Sequence, residues 1–139
     1  MRQSSLKMEA WGGYILMVEV LFWSIKQNNY LKLYLTLDTG ASVTTLSKDL
    51  LFRLGYSFQQ KNNQRITTAS GVEFVEKIKL KKMKIGVFEL EDIEVYAHTF
   101  PGESFSLGVL GLDVLSQFDI ELIFSKKEVV FKEIVEDLC

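Results

Sequence analysis

Residues 35–42 read LTLDTGAS, and this stretch decides which fold we expect for the chain. Its acid, Asp38, stands on a tight Thr-Gly turn between two runs of strand-forming residues. Upstream, residues 30–37 alternate apolar and polar side chains at the period of a β-strand, and residues 41–47 form a second β-prone run. The pattern predicts one carboxylate presented on a turn directly after a strand.

If this carboxylate acts as a catalyst on a bound water, it is half of the acid–base arrangement that such chemistry requires. In such a pair one carboxylate takes a proton from a bound water while the other donates a proton to the substrate carbonyl, so the two groups must lie close together and share one proton. The sequence contains no second Asp-Thr-Gly or Asp-Ser-Gly. We therefore expect the second carboxylate to come from a second copy of the chain, in an obligate homodimer with one half-site per chain.

A second motif lies well downstream of the acid turn. Residues 107–112 read LGVLGL, in which two apolar residues and a glycine open a short helix. Together with the Asp-Thr-Gly-Ala turn, this motif resembles the retroviral-type (retropepsin-like) aspartic protease family, over roughly residues 14–131. The resemblance implies an all-β fold: a closed retropepsin-like acid-protease barrel with two short helices, as a single domain over residues 1–139.

The resemblance also assigns roles around the turn. Asp38 of each subunit would form the catalytic pair, Thr39 would hydrogen-bond across the dimer axis, and Gly40 would offer its amide to the carboxylate. Ala41 and Ser42, which follow directly, are assigned to the substrate-binding side of the site.

A glycine-containing hairpin is expected to cover this site. Residues 66–74 give two β-prone arms around the small-residue tip Ala69-Ser70-Gly71. Proteases of this family close such a flap over the substrate and exclude water. The three tip residues are therefore assigned to substrate binding, with Gly71 permitting the positive φ that a tip needs. An ordinary surface hairpin would show the same pattern, and that alternative stays open.

Local patterns predict further elements in the N-terminal half. Residues 47–54 have helical apolar spacing, with Ser47 able to cap the helix and Gly55 able to end it. Residues 11–23 form an apolar run that is too short to span a bilayer as a helix, and Glu19 interrupts it. We expect a β-strand over residues 14–23, no membrane partner and a cytoplasmic protein; a signal peptide or anchor is the alternative.

In the C-terminal half, Leu110 and Gly111 are expected to pack behind the acid turn. Asp113 lies two residues into the helix that follows, where a carboxylate favours the helix N-terminus, so we do not expect it to be a second catalytic acid. Residues 118–131 are expected to form a final hairpin. In relatives of the family that have such a hairpin, it helps to build the dimer interface.

Composition excludes several other functions. Lys and Arg number 16 against 18 Asp and Glu, so net charge gives no reason to expect nucleic acid or an anionic membrane as a partner. The one basic cluster, residues 79–84, has the alternation of a solvated strand face. Cys139 and His98 are each the only residue of their type, so an intrachain disulfide, a zinc site and Cys-His or Ser-His-Asp catalysis lack components. No metal or cofactor is expected.

The sequence therefore predicts a homodimeric aspartic endopeptidase. It would hydrolyse a peptide or protein substrate through a water activated by two Asp38 carboxylates, one from each subunit. The alternative is a catalytically silent module that keeps the fold and binds peptides or dimerises. The intact Asp-Thr-Gly turn favours the enzyme, because a pure binder has no physical need for two acids that share a proton.

Overall fold

The computed structural model describes residues 2–11, 15–57, 63–68, 71–98 and 107–135. Within these ranges the chain is built mainly of β-strands, with two short helices. The strands are β1 (Gln3–Trp11), β2 (Ile15–Ser24), β3 (Asn29–Leu37), β4 (Thr45–Ser47), β5 (Asn63–Thr68), β6 (Gly71–Ile85), β7 (Phe88–His98), β8 (Gly108–Leu110), β9 (Phe118–Ile123) and β10 (Glu128–Glu133), and the helices are α1 (Lys48–Arg53) and α2 (Leu112–Leu115).

Six of the strands close into a barrel. β2 pairs antiparallel with β3 at one edge and with β6 at the other, and β6 forms a long antiparallel hairpin with β7. β8 pairs parallel with β3 and antiparallel with β4, and β4 pairs parallel with β7. The ring of β2, β3, β8, β4, β7 and β6 is closed where Leu21 and Phe22 of β2 meet Lys84 and Met83 of β6. The expected all-β closed barrel with two short helices is confirmed.

Strand alternation defines the interior of the barrel. In β2 the side chains of Val18, Val20 and Phe22 are fully buried, and the intervening Glu19 and Leu21 remain partly exposed. Burial of each such apolar side chain stabilises the fold by about 1.5–3 kcal/mol relative to full exposure. Buried leucine and valine side chains from the facing strands and the first helix complete this core. They are Leu35, Leu46, Leu51, Leu80, Val95 and Leu110.

The first helix confirms the predicted capping pattern. The Ser47 hydroxyl accepts a hydrogen bond from the Leu50 amide (3.3 Å), as an N-cap residue does. The helix is followed by Gly55 at φ +95°, a conformation that favours glycine. Leu50 and Leu51 point into the core, so the helix covers one end of the buried cluster.

A small sheet outside the barrel joins the two ends of the described chain. The first half of β1 pairs with β10, its second half pairs with β2, and β9 pairs with β10 as the last strand of the sheet. Residues 118–131 thus form the expected hairpin, although β9 ends at Ile123 and Phe124 begins a 3-10 turn. β1 and the three-residue β8 were not predicted.

Two predicted element boundaries were wrong. Residues 66–74 were expected to form a hairpin, but its second arm is only the beginning of β6, which runs without a break from Gly71 to Ile85. The strand can continue because it exchanges its hairpin partner for a barrel partner along its length. In addition, the β-prone run 41–47 forms a strand only from Thr45, because the residues before it are held in a loop.

The β6–β7 hairpin bends beside a buried tyrosine. The ladder skips the position of Lys81 opposite Asp92, and Asp92 has φ +52°. The Lys81 amide donates to the Tyr56 hydroxyl (3.2 Å), which donates to the carbonyl of Trp23 on β2 (3.0 Å). Tyr56 is buried, and this burial raises the pKa of its hydroxyl. One hydroxyl therefore satisfies polar groups of two barrel strands at the bend.

Replacing Tyr56 by Phe should destabilise the fold. The substitution keeps the ring but leaves the Trp23 carbonyl and the Lys81 amide without this partner, which should lower the free energy of unfolding by about 1–3 kcal/mol. Urea or thermal denaturation measures the change. Tyr30→Phe is the matched control, since its hydroxyl bonds the exposed Glu89 carboxylate, and should change stability by no more than about 0.5 kcal/mol. Equal effects of the two variants would contradict this role of Tyr56.

Candidate active site

The acid turn begins where β3 ends. Asp38 follows Leu37 directly, and its backbone amide donates to the carbonyl of Leu110 at the end of β8 (3.1 Å). The Ala41 amide closes the turn on the Asp38 carbonyl (3.2 Å). The Gly40 amide donates to Asp38 Oδ1 (2.9 Å), as the sequence predicted. The turn thus orients its own carboxylate, which is half-buried beside the exposed Gly40.

A second chain segment crosses behind this turn. The amide of Leu112 donates to the Ala41 carbonyl (2.8 Å), and the amide of Asp113 donates to the Ser42 carbonyl (3.2 Å). The first residues of α2 are therefore bonded directly to the loop that carries Asp38. This geometry confirms the expected packing of the second motif behind the acid turn.

The crossing requires a glycine at residue 111. A Cβ built on Gly111 would lie 2.5 Å from the carbonyl carbon and oxygen of Val43 and 2.9 Å from the Ala41 oxygen. All three of these atoms belong to backbone, so no side chain could rotate away to make room. Gly111 is therefore required by the close approach of two backbones rather than by an unusual φ.

A buried threonine joins the two crossing segments. The Thr44 hydroxyl donates to Asp113 Oδ1 (2.7 Å) and accepts from the Gly111 amide (3.0 Å), while the Thr44 amide donates to Asp113 Oδ2 (3.1 Å). Asp113 Oδ1 also accepts from the Val114 amide (2.9 Å), so the expected helix-terminal role is present. Thr44 was not predicted as a functional residue. The available signal in the sequence was Asp113, a carboxylate two residues after the glycine that opens the helix.

The structure places the predicted site residues in two groups. Residues 38–42 form one continuous turn, in which Ala41 is half-buried and Ser42 is exposed. Gly71 is the first residue of β6 and pairs with Thr68 of β5, so the predicted hairpin exists. Ala69 and Ser70 lie outside the described residues, and the positions of the tip over Asp38 and of Thr39 at a dimer axis stay predictions.

The concave surface beside α2 does not include the Asp38 carboxylate. A cavity of about 400 Å³ between β7 and α2 is lined partly by Glu91, Asp92, Glu94 and Asp113, and Asp38 does not line it.

In the described part of the chain no group of three His, Cys, Asp or Glu side chains is placed to hold a metal ion. Nor does any helix described there have the length and apolar character needed to cross a bilayer.

Comparisons with known proteins agree with this geometry. The family described as "gag-polyprotein putative aspartyl protease" matches residues 24–117, which include the acid turn and the crossing segment. A sequence search of curated proteins finds no match.

Solved structures share the fold. A retropepsin-like aspartic protease from Rickettsia conorii is 18% identical with a TM-score of 0.64, over 94% of this chain and 91% of that chain. The retroviral protease-like domain of Ddi1 from Leishmania major is 12% identical with a TM-score of 0.58, over 90% and 98%. EIAV protease, solved with the inhibitor HBY-793, is 20% identical with a TM-score of 0.53, over 78% and 92%. The fold of this chain is therefore retropepsin-like.

Removing the Thr44 hydroxyl should loosen the crossing. Thr44→Val keeps the side-chain shape but deprives Asp113 Oδ1 and the Gly111 amide of a partner, which should lower the free energy of unfolding by about 1.5–3 kcal/mol. Hydrogen exchange at the Gly111 amide should accelerate as well. Thr44→Ser, which keeps the hydroxyl and loses one buried methyl, should cost only about 1 kcal/mol. A Val variant as stable as the Ser variant would show that the hydroxyl does not hold the crossing.

Proposed function

Because the chain belongs to the family described as gag-polyprotein aspartyl proteases, we propose that it is a homodimeric aspartic endopeptidase in which Asp38 of each subunit supplies one catalytic carboxylate. The observation that carries this proposal is the acid turn itself. Asp38 stands directly after a barrel strand, its carboxylate is oriented by the Gly40 amide, and the turn is bonded to the crossing segment behind it. The chemistry needs a second, equivalent carboxylate, which a two-fold axis through the turn would supply.

The proposed reaction moves one proton in each direction. The pair holds a single shared proton, because two carboxylates about 3 Å apart repel each other when both are ionised. The ionised carboxylate takes a proton from the bound water as the water oxygen attacks the peptide carbonyl carbon. The protonated carboxyl donates to the carbonyl oxygen. The carboxyl that took the proton from water then donates it to the amide nitrogen, while the other carboxylate takes a proton from a hydroxyl of the tetrahedral intermediate. The C–N bond breaks as the carbonyl reforms, and the pair again holds one proton.

The free edge of β9 supports dimerisation. β9 pairs with β10 on one side and is the end strand of the sheet in the part of the chain that the structure describes. Leu122 on this strand is 38% exposed, and Phe124 just beyond it is 64% exposed. Exposed strand edges with apolar side chains are sites where another chain can add. We place the second subunit against this edge.

The β5–β6 hairpin supports a role in substrate binding. Among the described residues, 71–75 of β6 pair with β5 only and the following part of β6 pairs with β7, which supports a hairpin that extends beyond the barrel. In the proposed enzyme its tip, Ala69, Ser70 and Gly71, covers the peptide. Ala41 and Ser42 line the opposite side of the cleft, next to the acid turn.

Asp38→Asn should abolish peptide hydrolysis and leave the dimer folded. The amide is nearly isosteric with the carboxylate, but it cannot take the proton from water, and its neutrality removes charge repulsion between the two turns. A fluorogenic peptide assay, with circular dichroism to verify folding, measures both effects. Asp49→Asn, which changes an exposed acid in the first turn of α1, should keep wild-type turnover. Turnover by Asp38→Asn would exclude the mechanism, and a wild-type dimer that binds peptides without cleaving them would indicate the silent module.

Activity should also depend on assembly. A monomer holds one acid turn and cannot act as base and acid at once, so specific activity should fall on dilution as the dimer dissociates. Leu122→Lys should move this loss to higher protein concentration by placing a charge on the β9 edge. Ile25→Lys changes an exposed apolar residue in the β2–β3 turn and should not alter the protein concentration at which activity is lost. Sedimentation velocity paired with the assay tests this, and full activity from a species of single-chain mass would contradict the shared pair.

A further inference from the structure

The apolar face of β9 becomes more exposed toward the end of the strand. Phe118 is 9% exposed, Ile120 is partly buried against the core, and Leu122 is 38% exposed. Phe124, where the 3-10 turn begins, is 64% exposed. β10 pairs with one edge of β9, and in the part of the chain that the structure describes β9 is the last strand of the sheet. The exposed end of this face therefore lies beside an edge that no described strand occupies.

Acidic side chains alternate with this apolar face. Asp119 and Glu121 are exposed, and alternation directs them to the opposite side of the sheet. Lys132 on β10 pairs with Glu121 (2.9 Å), so this cation is engaged within the subunit, on the side away from the unpaired edge. Like charges directly opposite each other on neighbouring strands destabilise a sheet. A strand that adds to β9 is therefore favoured in a register that keeps acids apart.

Two-fold symmetry leaves few registers for a second copy of β9. When a strand pairs antiparallel with its own copy, the residue on the axis faces itself. An axis at Phe118 or Ile123, the two ends of β9, would leave a single residue of each strand in the ladder. An axis at Asp119 or Glu121 would set two identical carboxylates against each other. An axis at Ile120 would set Asp119 against the partner's Glu121.

The remaining axis, at Leu122, sets apolar side chains against one another. Each exposed Leu122 then faces its own copy. The exposed Phe124 faces the partner's Ile120, and Glu121 faces the partner's Ile123. No acid lies directly opposite an acid in this register, and the most exposed part of the apolar face is covered.

We propose that the second subunit pairs antiparallel along β9 with the two-fold axis at Leu122. This pairing rests on the proposed homodimer and goes beyond it, because it fixes which residues of the two subunits face each other. The interface is isologous, so each subunit offers the same strand and receives the same strand. Each copy also covers the unpaired edge of the other.

Engineered cysteines identify the residue on the axis. Paired residues of neighbouring antiparallel strands have Cα atoms about 4.5–5.5 Å apart, within reach of a disulfide. Leu122→Cys should therefore link the two subunits under mild oxidation. Glu121→Cys is the matched control, because two copies of residue 121 would be displaced by about 7 Å along the strands in addition to the strand separation, which exceeds that reach. Both variants, and Ile120→Cys, are made with Cys139→Ser, which removes the only native cysteine.

The cross-linking pattern decides the register independently of catalysis. On a non-reducing gel, with circular dichroism to verify folding, Leu122→Cys should give at least about tenfold more linked dimer than either other variant. Stronger linking through Glu121→Cys or Ile120→Cys, equal linking through all three, or no linking of Leu122→Cys would overturn the proposal. A wild type that sediments as a monomer at every concentration would overturn both this pairing and the proposed dimeric enzyme.

Activity then tests whether the linked dimer is the catalytic one. If the chain is a peptidase, linked Leu122→Cys should keep its specific activity on dilution, and a reductant should restore the loss seen in wild type. Activity that appears only after reduction would overturn the proposed pairing. A wild type without peptidase activity would remove the proposed function, whereas linking through Leu122→Cys would still support the pairing.

Discussion

The structure depends on a crossing of two backbones that leaves no room for a side chain. The loop from Asp38 to Thr44 passes over the segment that opens α2, and a Cβ at Gly111 would overlap the Val43 carbonyl. Hydrogen bonds from both segments, and the Thr44 hydroxyl between them, hold this contact. Because the acid turn is bonded to the crossing, the backbone position of Asp38 is set by the barrel, and the Gly40 amide orients its carboxylate.

In the described chain, two strands, β5 and β9, remain at the ends of the sheet after the barrel closes. The strand order runs from β5 to β9, while β6 and β2 join to complete the ring. β5 belongs to the hairpin that we propose covers the substrate. β9 carries the exposed Leu122 and is the edge that we assign to the second subunit. The proposed enzyme needs both, because one subunit alone would supply half a site and no cover over the substrate.

The sequence was enough to predict elements that depend on residues close together in the chain. Alternation over residues 30–37 placed β3, the Ser47 cap and Gly55 bounded α1, and the Asp-Thr-Gly turn gave the bond from the Gly40 amide to its carboxylate. The features that were not predicted depend on partners far away in the sequence. β1 is ordered by β10, more than a hundred residues away, and the bond between Thr44 and Asp113 joins residues 69 positions apart. The continuity of β6 likewise depends on a change of partner strand, which the alternation of apolar and polar residues does not reveal.

The central claim is that two copies of one turn make a single catalytic site. A crystal structure of the chain with a pepstatin-type inhibitor, which mimics the tetrahedral intermediate, tests it most directly. Our account predicts one inhibitor per dimer, bound on a two-fold axis, with the two Asp38 carboxylates about 3 Å apart and both facing the inhibitor hydroxyl. An inhibitor held by one chain alone, or a dimer whose Asp38 side chains lie far apart, would contradict it.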